Sequence, residues 1–443
     1  MRVLQVSCAF APLHVGGVAR VVSDLVRGLT AAGHSAAVFT AAHDSGRPNG
    51  ETVVRTLDGI PVTAVSVSGS AFFERYRTVD YLNPAVHEAF RQAVASFSPD
   101  VVHVHAIQGL GAGLIDCVPP SMSSVLTMHD YWWVCPNLFL LRLDENPCTL
   151  SGFDLGRCES CLRDVPVLDP GSSFKRDRLE HRRRFLGRQL QKFDRILAVS
   201  RQLRARLRGF LPDVEVGVCE NGVRPSACGE SEQRPRGGNG AWQSERRVRF
   251  GFLGGLNRLK GFACVLTAVD RLKDRRFCLE IYGCPISWRQ RLGQRLPRVR
   301  KGYRWLRRRT AAPDVSNVDP RVVLKPPFAD SDRDRVFRSL DAVLVPSIVQ
   351  ESFSLVCREA LINGVPVIAS RCGGPEEVVR HEENGLLFEL GDADGLAANM
   401  SRCLTEPGLL SALRANARAV RIRTFAEHVR QMAQEYELLR QGQ

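Results

Sequence analysis

No apolar run in the 443-residue chain approaches the ~20 residues needed to span a bilayer, so nothing in it reads as a membrane-embedded protein. The first eight residues, Met1 to Cys8, also lack a secretory core. Their apolar run breaks at Gln5 and soon meets Pro12, His14 and Gly16-Gly17. That segment is expected to be a strand entering a turn, in a cytoplasmic protein. Glycine (37) and proline (24) are too few for a low-complexity chain. No short-period repeat occurs, which excludes solenoids and propellers. No zinc-finger or helix-turn-helix signature occurs either, so nucleic acid is not expected as a partner.

The chain does have a hydrophobic fraction of 44% with 24% charged residues, enough for two or three ordinary cores. Two quantities stand out, a net charge of +14 and 14 cysteines. A basic surplus points to an anionic partner: nucleic acid, lipid headgroups or a phosphorylated substrate. Without an export signal, cysteines are better read as metal ligands or buried thiols than as a disulfide framework.

Short β-branched runs alternate with helical patterns. Val3, Leu4 and Val6 form a strand, Gly16-Gly17 a turn, and Val18 to Leu29 a helix closed by Gly33. A helix over 84–97 precedes the strand Val101 to His105, and strands follow at Ser124–Met128 and Arg195–Ser200. A polar stretch, 224–247, reads as a linker. A second series then begins with Val248 to Leu253, a helix near 260–272, and strands at 278–282, 322–324, 342–345 and 366–369. Residues 408–441 are helical with a break near 421–424. The fold class is α/β, two doubly wound Rossmann-like domains with parallel sheets covered on both faces. The domains are expected at 1–222 and 223–423. A cysteine-rich insertion spans 135–169, and the helix over 424–441 is expected to pack back onto the first domain. Such sheets bind ligands at the carboxyl ends of their strands.

The strongest constellation follows the strand ending at Val345. Glu351 and Glu359 are separated by seven residues, with Ser352, Phe353, Ser354, Leu355 and Val356 between them at a helix entry. A helix N-terminus presents N–H groups and the positive end of its dipole, a seat for diphosphate. A strand over Gly364–Ser370 and the loop Gly373-Gly374 come next. A bare pair of glutamates at this spacing is ordinarily a solvated face; the surrounding strand and loop motifs argue otherwise.

This stretch resembles the donor domain of the retaining family 4 glycosyltransferases of the GT-B fold, which carry Glu-x7-Glu and an E-(A/S)-F-G-L-V-x-x-E-A core. Here Ser354 stands where glycine is usual. Phe252 to Gly261 resembles the family's G-R-L-x-x-x-K-G turn, with Lys260 at the lysine position. Gly255 occupies the arginine position, and Arg258 is the candidate substitute or else a surface charge. In the first domain Gly16 and Gly17 match the Gly-rich loop, His129 and Asp130 match the H-D-x-W element, and Asn221-Gly222-Val223 matches the hinge. His103 and His105 alternate on a strand and read equally well as core histidines.

The resemblance implies an acceptor domain followed by a donor domain for a nucleotide-diphosphate sugar. Lys260, Arg258 and the amides after Glu351 would meet diphosphate and Glu359 the ribose. Glu351, His129 and Gly373-Gly374 would hold the hexose, with Gly16, Gly17 and Asp130 toward the acceptor and Gly17 also toward the donor phosphates. A hexose would pass with retention to a glycan or lipid-linked glycan, as in polysaccharide or glycolipid biosynthesis, with no metal required for catalysis. Rival readings are another GT-B enzyme (a phosphorylase or nucleotide-sugar epimerase), a basic nucleic-acid-binding protein and a catalytically dead binding subunit.

Two features stand apart from that reading. Cys135, Cys148, Cys158 and Cys161 follow C-x12-C-x9-C-x2-C, which suits a tetrahedral structural zinc. Unligated thiols or an iron–sulfur cluster are the alternatives. Residues 289–309 hold ten Arg or Lys and no acid. Together with the arginines at 178, 182–184 and 188, they are either a solvated face or an attraction to an anionic membrane surface, placing the protein peripherally on its inner face.

Overall fold

The computed structural model describes residues 1–14, 16–43, 46–67, 80–142, 146–162, 176–224, 247–274, 276–284 and 319–442. The basic stretch 289–309 and nearly all of 224–247 lie outside the described residues. The chain divides into two compact units, Met1–Gly222 with Arg423–Gln443, and Val223–Ile422.

Unit 1 is built on β1 (Arg2–Ser7), β2 (Ser35–His43), β3 (Thr52–Leu57), β4 (Ile60–Val67), β5 (Val101–Val104), β6 (Ser123–Met128), β7 (Arg195–Ala198) and β8 (Gly217–Val218). Its helices are α1 (Gly17–Ala31), α2 (Pro84–Phe97), α3 (Leu155–Leu162), α4 (Arg176–Leu190) and α5 (Arg201–Arg208). The sheet order is β3-β4-β2-β1-β5-β6-β7-β8. Parallel pairing holds throughout except at the edge, where β3 runs antiparallel to β4. The body of the sheet is parallel, as the alternation of strands and helices predicts, and β3 is added at its edge. The cause is local: Asp58 (φ 49°) and Gly59 (φ 79°) both adopt left-handed backbone, the geometry of a tight hairpin turn. A charged, partly exposed edge strand such as Thr52–Leu57 also leaves weak apolar periodicity to read.

Unit 2 contains β9 (Val248–Phe252), β10 (Phe277–Tyr282), β11 (Val322–Lys325), β12 (Ala342–Val345), β13 (Val367–Ser370) and β14 (Gly385–Phe388). Its helices are α6 (Phe262–Arg271), α7 (Arg333–Ser339), α8 (Leu355–Ile362), α9 (Ala393–Thr405) and α10 (Leu409–Ala419). All pairs in the order β11-β10-β9-β12-β13-β14 are parallel. Alternation along β12 covers both faces. Ala342 and Leu344 enter one core with Phe250, Phe252 and Ile368, whereas Val343 and Val345 enter another with Val367 and Ala369. The switch in strand order falls between β9 and β12, so the loops leaving their carboxyl ends diverge there.

After unit 2 the chain returns to unit 1 as α11 (Phe425–Gln441), opened by a capping box between Thr424 and Glu427. Val429, Met432 and Tyr436 of α11 share a core with Val3, Leu25, Leu29, Val101, Val125 and Leu197. Close approach of α11 to α1 depends on Gly28, where an added Cβ would lie 2.4 Å from Val429 Cγ2 and 2.9 Å from Phe425 Cζ. Gly28→Ala is therefore expected to cost about 1–3 kcal/mol through overpacking, seen as a lower thermal unfolding midpoint.

Candidate functional site

The turn after β9 and the loop after β12 meet at the switch point of unit 2. Asn257 opens the turn by accepting the Leu259 N–H through Oδ1 at 2.9 Å, and a short 3₁₀ segment, Arg258–Lys260, follows. Gly261 has φ 85°, and a Cβ there would lie 1.8 Å from the Pro346 carbonyl oxygen. Only glycine allows so close an approach, which seats Lys260 beside the segment leaving β12. Ile348 N–H donates to the Leu259 carbonyl at 3.1 Å and ties the two loops together.

Lys260 Nζ consequently lies 2.7 Å from Glu351 Oε1, and the same oxygen accepts from the Ser347 hydroxyl. The Glu351 side chain is 11% exposed and that of Lys260 45%. Burial alone would push the Glu351 carboxyl up, yet the ammonium and the Ser347 hydroxyl hold it below its ordinary value. Burial likewise opposes the Lys260 charge, but Glu351 outweighs it and raises the ammonium above its usual value. The Glu351 main chain is held equally firmly. Its N–H donates to the Cys372 carbonyl at 2.7 Å, and Gly374 N–H donates to the Glu351 carbonyl at 2.8 Å. Gly373 and Gly374 lie directly against Glu351 and Phe353.

Between Glu351 and α8 the backbone turns at Ser354, whose φ of 58° is left-handed. That is the physical reason a glycine suits the position. Ser354, the N-cap residue, makes no side-chain capping bond, so the first-turn amides of Leu355 and Val356 are the fixed partial charges of this entry. Arg358, 2% exposed, clamps the loop from beneath. Its guanidinium donates to the carbonyls of Phe353 and, at 3.4 Å, Gly374, pairs with Glu377 at 3.3 Å and lies 3.6 Å from the Phe353 ring centroid. Glu359 is 4% exposed and forms an ion pair at 3.5 Å with the buried Arg333. Arg258 sits on the Lys260 turn, half-buried. Gly255 has φ 58°, and a Cβ there would be 3.0 Å from the Gly283 carbonyl oxygen, a backbone that disfavours arginine. Sequence reading missed Arg333 and Arg358, because arginines in a helical pattern look like solvated charges until their burial is known.

In unit 1, Gly16 precedes α1 and Gly17 begins it, at the carboxyl end of β1. His129 and Asp130 follow β6. His129 is 7% exposed and heads a buried hydrogen-bonded chain. His129 Nε2 is 2.9 Å from His105 Nδ1, and His105 Nε2 is 2.7 Å from Gln5 Oε1. Gln5 Nε2 donates to the Tyr436 hydroxyl at 3.2 Å. That hydroxyl lies 2.6 Å from His103 Nδ1, and His103 Nε2 lies 2.8 Å from Thr127 Oγ1. An amide oxygen can only accept, so His105 donates from Nε2–H to Gln5, and its Nδ1 accepts the hydrogen bond of the His129 Nε2–H. Nδ1 is then the accepting nitrogen of His129. Burial lowers the His129 value to about 4, so the ring is neutral near pH 7. Burial pushes Asp130 up to about 6 against the Trp132 N–H at 2.8 Å and the Gln108 amide at 3.1 Å.

Cys135, Cys148, Cys158 and Cys161 all line one cavity of about 210 Å³ in unit 1. Among the described residues, no three His, Cys, Asp or Glu side chains are already gathered as a metal-binding group.

Two outcomes follow from the unit 2 geometry. Glu351, lowered in the fold, stabilises above its unfolded value near 4.5 and loses that contribution as pH falls through the lower folded value. Lys260, raised in the fold, stabilises below 10.5 and loses that contribution as pH climbs through the higher folded value. The stability difference between the native chain and Glu351→Gln, followed by urea unfolding, is therefore expected to be about 1 kcal/mol near pH 7 and to shrink at both extremes. At Ser354, left-handed backbone costs a β-branched residue most. Ser354→Val is expected to be about 1–3 kcal/mol less stable than Ser354→Gly in the same assay.

Comparison with known proteins places this geometry. A profile described as glycosyl transferases group 1 matches residues 247–406, and one described as glycosyltransferase family 4 matches residues 15–227. A D-inositol 3-phosphate glycosyltransferase of Rhodococcus jostii (strain RHA1) is 42% identical over 100 residues, 23% of this chain and 22% of that protein. The chain thus spans about a fifth of the length of the curated relatives it matches. Sucrose-phosphate synthase of Thermosynechococcus elongatus superposes with a TM-score of 0.67 at 19% identity, covering 100% of both chains. Anabaena HepE in complex with UDP and glucose gives a TM-score of 0.60 at 15% identity, covering 99% of this chain and 100% of that one. The two profiles lie in tandem along the chain, one on each parallel-sheet unit, and the chain belongs to the family 4, group 1 glycosyltransferases of the GT-B fold.

Proposed function

We propose that this glycosyltransferase moves a hexose from a nucleotide-diphosphate sugar to a hydroxyl on a glycan or lipid-linked glycan, with retention of anomeric configuration, in cell-surface polysaccharide or glycolipid synthesis. The observation that carries the reading is the Lys260–Glu351 pair at 2.7 Å, set at the strand switch of unit 2 beside the uncapped start of α8. Departure of a nucleoside diphosphate builds negative charge on its oxygens. A lysine ammonium and helix-entry amides held by the surrounding backbone stabilise such charge without reorganising during the reaction. Glu351, ionised and fixed by Ser347 and by its own main chain, accepts hydroxyl hydrogens of the sugar. Glu359, paired with Arg333, is the carboxylate assigned to the ribose hydroxyls by family resemblance. His129, neutral in its chain of partners, serves the hexose by family resemblance, with Gly16, Gly17 and Asp130 toward the acceptor. The proton of the attacking hydroxyl passes to the departing phosphate oxygen, so the reading calls for no dedicated protein base.

HepE was crystallised with UDP, which makes UDP the first nucleotide to try. The ten cationic residues of 289–309 support an anionic acceptor or membrane surface by their charge alone. No helix among the described residues is long and apolar enough to cross a membrane.

A thermal-shift series with UDP, ADP, GDP and TDP tests the donor reading. One of them is expected to stabilise the chain, by about 2.7 kcal/mol at a hundredfold excess over its Kd. Lys260→Ala should weaken that ligand by about tenfold or more, and Glu351→Ala should lower turnover about 100-fold with the fold retained. Failure of all four diphosphates to stabilise folded protein, or full activity in both variants, overturns the assignment.

A further inference from the structure

The cavity in unit 1 belongs to a different part of the molecule from the donor loops. Four thiols reach it from three separate pieces of chain. Cys135 lies in the turn after β6, where the Asn137 N–H points at its sulfur at 3.4 Å. That contact holds the Cys135 sulfur in the turn that borders the cavity. Cys148 is on the arm of a small hairpin bridged between Leu141 and Pro147, its N–H donating to the Leu140 carbonyl at 2.7 Å. Cys158 and Cys161 sit one turn apart on α3, the spacing that places two side chains on one helix face.

α3 itself contributes little apolar burial. Of the eight residues of α3, only Leu162 is buried. An isolated helix of that length does not hold itself in water. Arg142, Arg157, Arg182 and Arg183 are among the described residues that line the cavity. Arg182 is 4% exposed and is oriented by its bond to the Trp132 carbonyl at 2.6 Å. A divalent ion bound by four thiolates carries a net charge of 2−, which cationic lining residues suit.

We propose that Cys135, Cys148, Cys158 and Cys161 bind one structural Zn²⁺ as a tetrathiolate, which clips α3 and the hairpin to the body of unit 1. Binding replaces four S–H bonds with four Zn–S bonds near 2.3 Å and releases four protons to solvent. Because the sulfurs are not yet gathered to ligand distance, the ion draws them inward and its binding energy orders the segment. The lining arginines neutralise the resulting dianion. The proposal is independent of the donor-site reading, and its measurements use no sugar nucleotide.

The test is metal analysis of the full-length chain purified under reducing conditions without chelator. About one zinc per chain is expected, released by a mercurial in step with the modification of four thiols. Cobalt substitution should give the thiolate-to-metal charge-transfer band and intense visible bands of a tetrahedral four-sulfur site. Cys158→Ser with Cys161→Ser should bring bound zinc below about a tenth of an equivalent, whereas Cys264→Ser, outside the cavity, should leave it unchanged. The cobalt spectrum of the native chain decides the question even if the double variant fails to fold. Less than about half an equivalent of zinc with four freely reacting thiols overturns the proposal. So does a Cys158–Cys161 disulfide in the reduced preparation, or iron with acid-labile sulfide in place of zinc.

Discussion

A lysine ammonium and a carboxylate 2.7 Å apart, in the loops that leave the carboxyl ends of two neighbouring strands, join the strand-end loops of unit 2. The pair forms because the turn after β9 and the loop after β12 touch backbone to backbone at Gly261 and Pro346. With any side chain at 261 the turn would be pushed outward, and the ammonium would lose its buried partner. Glu351 is in turn held by main-chain hydrogen bonds to Cys372 and Gly374, so the strand-end loops after β9, β12 and β13 form one connected surface. The chemistry proposed for this surface uses charges that the fold has already oriented.

Unit 1 solves a different problem with the same architecture. Its strand-end histidine is buried and neutral, and its tautomer is dictated by a chain running through His105 and Gln5 to Tyr436. That tyrosine belongs to α11, at the far end of the sequence, and reaches the centre of the unit because Gly28 lets two helices approach closely. The state of one imidazole therefore depends on a residue more than three hundred positions away. Packing and protonation are a single problem at this site, since every group in the chain is buried and must find a partner within it.

The segment that follows His129 is the opposite case. Its cysteines and arginines gather around a cavity, while α3 contributes a single buried side chain. The proposed zinc would tie α3, which buries little of its own, to a turn whose Tyr131, Trp132, Leu138, Leu140 and Leu141 are buried.

How much of this was legible beforehand varies with the kind of signal. The α/β class, the helix at 84–97 and the strand at 342–345 could be read directly, because both faces of a parallel sheet select unbroken β-branched runs that differ from the 3.6-residue period of the helices. The Glu-x7-Glu stretch was legible because it is contiguous, and the left-handed backbone at Ser354 explains why its departure from glycine is the one that shows. The antiparallel strand over Thr52–Leu57 was not legible, since an exposed edge carries no apolar period. Neither the clamp of Arg358 nor the partnership of Glu359 with Arg333 could be read from residue types. A charged side chain reads as solvated in one dimension, and only packing decides that it is desolvated and therefore must be paired. Local order in the chain determined which elements form and where their strand ends fall. Tertiary contact alone decided which charges those ends bury together, because burial is a property of neighbours distant in sequence.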